Sequence, residues 1–209
     1  MNRMYVAAAA AIASVAGSAL ASEVTLFSDN FDGYAYQDGN GYLNWNGAGV
    51  CSMSNGTVDL IGVGSNFDLV PGHGKYIDLD GSTNDPGRMT TVAAFNFIAG
   101  QTYKLSFKLA GGQRGNGDNS AEVAVGIGSL LSDTITLGQN DDFTSFTYTF
   151  TPTVSTAATA SFSFEGLPPA DNQGLLLDDV KLVQLIPLPG AAGLGMAGLL
   201  ALGARRRAR

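Results

Sequence analysis

The chain has 209 residues, 45% of them hydrophobic and 14% charged, with 28 glycines, one cysteine, one histidine and a formal net charge of −7. A single cysteine excludes an intramolecular disulfide framework, and one Cys with one His supplies too few ligands for zinc chemistry. The acidic balance argues against nucleic acid as a partner, because phosphate binding needs clustered Lys and Arg.

The N-terminus reads as a signal peptide over 1–21. Arg3 gives a positive n-region, 5–19 is an alanine-heavy apolar h-region, and Ala19-Leu20-Ala21 is a small-x-small cleavage site for signal peptidase. With the chain starting near Ser22, and the C-terminal arginines also set aside, six basic residues (Lys75, Arg88, Lys104, Lys108, Arg114, Lys181) face all eighteen carboxylates. The domain over 22–184 thus carries about twelve net negative charges. That length suits one well-buried domain.

Along it, period-two patterning recurs. Candidate strands are 24–27, 57–63, 76–79 and 90–98, then 103–109, where Tyr103, Leu105, Phe107 and Leu109 alternate with Lys104, Ser106 and Lys108. Further candidates are 123–127, 133–137, 146–151 with aromatics alternating with threonines, 160–164 and 175–183. The breaks are turn chemistry: Asp38-Gly39-Asn40-Gly41, Pro71-Gly72, Asn84-Asp85-Pro86-Gly87, Gly111-Gly112 and Pro168-Pro169. No segment here sustains helical spacing. About ten short strands separated by such turns predict an all-β, antiparallel jelly-roll sandwich.

The last residues, 185–209, form an ordered tail. Ile186-Pro187-Leu188-Pro189-Gly190 stops the preceding strand, an uncharged run over 190–204 follows, and Arg205-Arg206-Arg207-Ala208-Arg209 resists translocation. Fifteen residues at 1.5 Å rise cover about 22 Å, short of a ~30 Å hydrocarbon core, so the run suits a transient or short inner-membrane insertion.

This tail resembles the PEP-CTERM class of bacterial C-terminal sorting signals, in the variant whose signature reads Val-Pro-Leu-Pro-Ala. Ile186 and Gly190 depart from that signature at its first and last positions. The resemblance covers about a tenth of the chain. It implies a Gram-negative bacterium in which an exosortase-type membrane protease cuts at the motif and passes the protein to the envelope or an extracellular matrix.

Four islands carry a second resemblance: Phe31-Asp32-Gly33, Gly74-Lys75-Tyr76-Ile77-Asp78-Leu79-Asp80-Gly81, Ala99-Gly100-Gln101-Thr102-Tyr103-Lys104-Leu105-Ser106-Phe107 and Leu177-Asp178-Asp179-Val180-Lys181-Leu182. In this order they are similar to the jelly-roll domains related to carbohydrate-binding modules. The resemblance implies a galactose-binding-like sandwich, often with a structural calcium near the joined first and last strands. It implies no particular sugar site.

For calcium, the hard oxygen ligands are Asp29, Asn30 and Asp32 by the first strand, with Asp178 and Asp179 by the last. Adjacent strand residues point to opposite faces, so one of the last two would bind, Asp179 being preferred. The alternative is an edge strand protected by charge. Asp78 and Asp80 read as solvent residues at a loop end.

For polysaccharide, an aromatic platform with amide neighbours is the usual device, and Tyr34, Tyr36, Tyr42 and Trp45 lie in a polar segment with Asn40, Asn44 and Asn46. The alternative for Trp45 is a packed ring. Arg114, in the Gly-rich turn over 111–119, marks a second candidate rim. A non-enzymatic role is expected, since His73 stands in a turn and no Gly-x-Ser-x-Gly elbow occurs. The expectation is an exported, surface-sorted protein that associates with extracellular polysaccharide. A purely structural acidic matrix protein and a glycoside hydrolase are the alternatives.

Overall fold

Alternation between large apolar and polar side chains sets the architecture. In the computed structural model, which describes residues 21–37, 44–83, 85–115, 117–126, 128–156 and 160–187, eleven strands form two antiparallel sheets. In chain order they are β1 (Ala21–Asp29), β2 (Cys51–Ser54), β3 (Asp59–Gly62), β4 (Lys75–Asp78), β5 (Arg88–Thr91) and β6 (Thr102–Ala110). They continue as β7 (Asn119–Val125), β8 (Leu131–Leu137), β9 (Thr144–Phe150), β10 (Phe162–Leu167) and β11 (Leu176–Pro187).

One sheet has the order β3-β4-β11-β6-β9, with β1 also paired to β11, and the other has the order β2-β5-β10-β7-β8. The chain passes repeatedly between them, the connection pattern of a jelly-roll sandwich. The expected fold is therefore found. The unit it builds runs over Glu23–Ile186.

Between the sheets, β6 contributes Tyr103, Leu105, Phe107 and Leu109, while β10 contributes Phe162 and Phe164, all buried. Phe107 meets Phe164 edge-on at 4.8 Å and stacks on Phe146 and Tyr148 of β9 at 5.8 and 5.9 Å. Such ring contacts add about 0.5–1.5 kcal/mol each beyond area burial. Cys51 is buried here, and burial pushes its thiol up to about 12, which keeps it inert.

Two strand expectations need correction. β5 ends at Thr91 instead of continuing to residue 98, because Val92 is exposed and the alternation restarts only at Phe95, which forms an isolated bridge with Ala160. β2 was not expected at all. It is four residues long, and its apolar pattern is only Cys51 and Met53.

A second, smaller apolar cluster lies on the other face of the β3-β4-β11-β6 region. Ile61, Tyr76, Ala110 and Leu176 form it, covered by Phe67, Leu69, Val70 and Phe143. Ile61 lies opposite Tyr76, and Leu176 opposite both Asp78 and Ala110, which places these residues side by side.

The signal segment and most of the sorting tail lie outside the described residues. Of the sorting motif, Ile186 and Pro187 end β11, whereas Leu188, Pro189, Gly190, Arg205, Arg206 and Arg207 are not described. Among the described residues no helix is long and apolar enough to cross a membrane.

Candidate functional site

Beside the smaller cluster a cleft of about 220 Å3 opens, lined by Asp59, Ile61, Phe67, Asp78, Ser82, Arg114 and Asn172. Its floor follows from strand register. Asp59 stands directly opposite Asp78 across β3 and β4, and Ile61 shares the face of Asp59 two residues on. Two like charges opposite one another destabilise a sheet unless each is satisfied separately.

Each is. The Asn44 amide donates to Asp59 Oδ1 at 2.6 Å, and the Ser82 hydroxyl donates to Oδ2. Asp78 Oδ1 accepts the amides of Asp80 and Gly174 at 3.0 and 2.9 Å, while its Oδ2 pairs with the Arg114 guanidinium. Gly174 is required by this approach, since a Cβ there would lie 2.3 Å from the Asp80 nitrogen and 2.8 Å from Asp78 Oδ1.

Asp78 is 2% exposed, and burial pushes its carboxyl up to about 7 against the opposing pull of Arg114 and the two amides. Asp80 is equally buried. Its Oδ2 accepts the amides of Asp171 and Gln173, at 2.9 and 3.3 Å, tying down the loop before β11. Its Oδ1 is buried without a hydrogen-bond partner, and burial raises its pKa too. The reading of Asp78 and Asp80 as solvent residues is thus overturned. They are inward anchors of the cleft and its neighbouring loop.

Among the described residues the expected aromatic platform is not presented. Trp45 is 3% exposed and packs edge-on to Phe31 at 6.0 Å, with Tyr34 5.2 Å away. Its ring anchors the segment onto the core, so Trp45 is corrected from ligand contact to packing residue. Tyr34 is half-buried and donates its hydroxyl to Asp29, and burial with that bond raises its pKa. Tyr36 donates to the Val63 carbonyl, and Lys75 stands 4.6 Å above its ring. Tyr42 lies outside the described residues.

The second recess, about 270 Å3, is lined by Asn30, Asp32, Gly72, His73, Gly74, Lys108, Asp178 and Asp179. The first and last strands do pair, as the calcium expectation requires. The argument from regular alternation fails, however. The register between β11 and β6 shifts between Asp178 and Lys181, with Asp179 at φ 51°, and both aspartates line the recess.

Asp29 does not line it, because its carboxylate is occupied by the Phe31 amide and the Tyr34 hydroxyl. Asp32 accepts the Lys75 amide on Oδ1 and the Asn30 side chain on Oδ2, both at 2.8 Å. The Lys108 ammonium lies 2.7 Å from Asp179. Asp178 is 4% exposed, and its carboxyl is pushed up to about 7 by burial, aided by the charges of Asp179 and Asp32. Among the described residues no three acidic, His or Cys side chains are grouped to hold a metal. The trio Asp29, Asp32 and Asp179 is therefore not assembled.

His73, at the same rim, packs 4.7 Å from the Phe143 ring and 3.8 Å from Asp142, a contact that explains its place without chemistry. Of the cleft residues, sequence reasoning named Arg114 as a rim but missed Asp59, Phe67, Ser82 and Asn172, which are spread over more than a hundred positions.

No family model and no curated protein matches the chain. Among solved structures it is similar to the Stig cyclase Fisc from Fischerella sp. TAU, crystallised with (3Z)-3-(1-methyl-2-pyrrolidinylidene)-3H-indole, with TM-score 0.54, 15% identity, and 80% of this chain and 100% of that one covered. It is also similar to the CBM22-1 xylan-binding domain of Paenibacillus barcinonensis Xyn10C, with TM-score 0.46, 12% identity and coverage of 83% and 100%. The arabinose-bound α-L-arabinofuranosidase MgGH51 matches with TM-score 0.48 and 13% identity over 80% of this chain, which spans only 32% of that enzyme. At these identities the likeness is one of fold alone, in keeping with the jelly-roll sandwich described above.

Proposed function

We propose that the chain is an exported, non-catalytic surface protein that binds a neutral sugar unit of an extracellular polysaccharide in the cleft between Phe67 and Arg114. The carrying observation is the cleft itself: apolar walls from Ile61 and Phe67 beside Asp59, Ser82, Arg114 and Asn172. A pyranose offers a CH-rich face and a rim of hydroxyls, which such a lining matches. Its volume is below the roughly 300–1,000 Å3 of drug-sized sites, which suits one sugar unit or a chain branch. Asp59 and Asp78 outnumber Arg114, which disfavours an acidic sugar.

A hydrolytic reading would use Asp59 and Asp78 as the two carboxylates. Against it, all four of their oxygens already accept hydrogen bonds from the fold. Export and sorting rest on the two terminal segments, with signal peptidase and an exosortase-type protease as processing partners and the cell envelope as destination. A structural calcium is retained in this proposal in altered form. As they stand these side chains do not form a metal group; displacement of the Lys108 ammonium from Asp179 would let Asn30, Asp32, Asp178 and Asp179 supply the hard oxygens, without Asp29.

The test is retention on a panel of immobilised glycans, comparing the chain with its Phe67→Ala variant. Saturable retention on a subset of neutral glycans, weakened about tenfold in Phe67→Ala with a smaller loss of melting temperature than in Trp45→Ala, is expected. Uniform retention across the panel, or full binding by the variant, would refute the cleft as the site.

A further inference from the structure

We propose that the free edge of β9 is a self-association site, where a second copy of this chain adds its own β9 antiparallel to the first. β9 ends its sheet, and among the described residues no strand pairs with its outer side. Alternate residues of an edge strand direct both N–H and C=O away from the sheet, a template for another strand.

Natural edges are blunted by shortness, charge, proline or bulges. In this sandwich β2 and β3 are edges of four residues each, and β8 carries Asp133. β9 has none of these devices. It is seven residues, Thr-Ser-Phe-Thr-Tyr-Thr-Phe, without a charge, a proline or a glycine.

The second copy is favoured over another occupant by self-complementarity. A two-fold axis through Thr147, the middle residue, sets Thr147 opposite its twin, Ser145 opposite Thr149, and Phe146 opposite Tyr148. Ser145, Thr147 and Thr149 are exposed and Phe146 and Tyr148 half-buried, so hydroxyl pairs form on one face and aromatic pairs on the other. No like charges meet.

Electrostatics points to the same flank. Copies of so acidic a chain repel one another, but the neighbouring strand β6 places Lys108 opposite Ser145 and Lys104 opposite Thr149. These lysines are paired with Asp179 and Glu23, which leaves the surface beside β9 balanced in charge.

Hydrogen–deuterium exchange of the purified full chain across a concentration series tests this without any substitution. The outward-facing alternate backbone amides of 144–150 are expected to slow by about tenfold or more as concentration rises, with β2 and β8 amides unchanged. Exchange of 144–150 that is independent of concentration overturns the proposal. Sedimentation velocity gives the second arm. Thr147→Asp and Thr147→Lys are each expected to sediment as monomers and to form dimers when mixed. Dimers that persist in each variant alone, with melting unchanged, place the interface elsewhere and also overturn it.

Discussion

Asp59 and Asp78 face each other across a strand pair, yet their charges are resolved in different ways. Asp59 is held by a neighbouring amide and a hydroxyl, Asp78 by a guanidinium from a distant turn and two amides. The Arg114 turn is thereby tied to the floor of the cleft by an ion pair.

Removal of that guanidinium in Arg114→Met leaves a buried carboxylate without its cation. A loss of about 2–4 kcal/mol in unfolding free energy is expected, measured by urea denaturation at neutral pH. The double variant with Asp78→Asn should recover much of it. No recovery would mean that Arg114 acts through packing and not through Asp78.

The pH dependence of stability follows from Asp78. Its folded-state carboxyl is raised to about 7 from an ordinary 3.8, so between these values the folded chain keeps a proton that the unfolded chain has released. Stability is thus greatest below the unfolded value and falls as pH rises toward and through 7, by on the order of 4 kcal/mol from this group. Urea midpoints between about pH 4 and pH 8 should decline, and Asp78→Asn should reduce the slope. An unchanged slope in that variant would assign the decline to other groups, with Asp178 acting in the same direction.

Trp45 and Phe67 separate packing from binding. Trp45→Ala empties a buried site against Phe31 and should cost about 3–5 kcal/mol, lowering the melting temperature. Phe67→Ala, at the cleft wall, should weaken glycan retention about tenfold, near 1.4 kcal/mol, with a smaller effect on melting. The reverse ranking would return the site to the segment around Trp45.

Calcium is expected to compete with a lysine. Titration calorimetry of the wild type should show weak binding, with tighter binding in Lys108→Met and none in Asp178→Asn. Equal affinity in wild type and Lys108→Met would remove the competition from the account.

The strand census was legible because alternation such as that of Tyr103 to Leu109 reflects burial on one face alone. β2 escaped because Cys51 and Met53 give it only two apolar positions. The bulge had a signal that regular alternation obscured: between the inward residues Leu177 and Val180 stand two aspartates, where unbroken period two allows one polar residue. The cleft was the least readable part. Its residues come from β3, β4 and four connecting segments, and only strand register sets Asp59 opposite Asp78. Acidic residues at the strand ends read as solvent-facing because nothing local announces the partners, Arg114 and Gly174, that make their burial tolerable.

The position of β11 also bears on the timing of folding. Among the described residues it is the last strand in sequence but the middle one of its sheet, pairing with β4 on one side and β6 on the other. A chain emerging from its N-terminus therefore cannot close that sheet until residues near 176 have appeared, and its two halves wait as unjoined pieces. Such a chain keeps that sheet open through most of its synthesis, and the two pieces are joined only when β11 arrives.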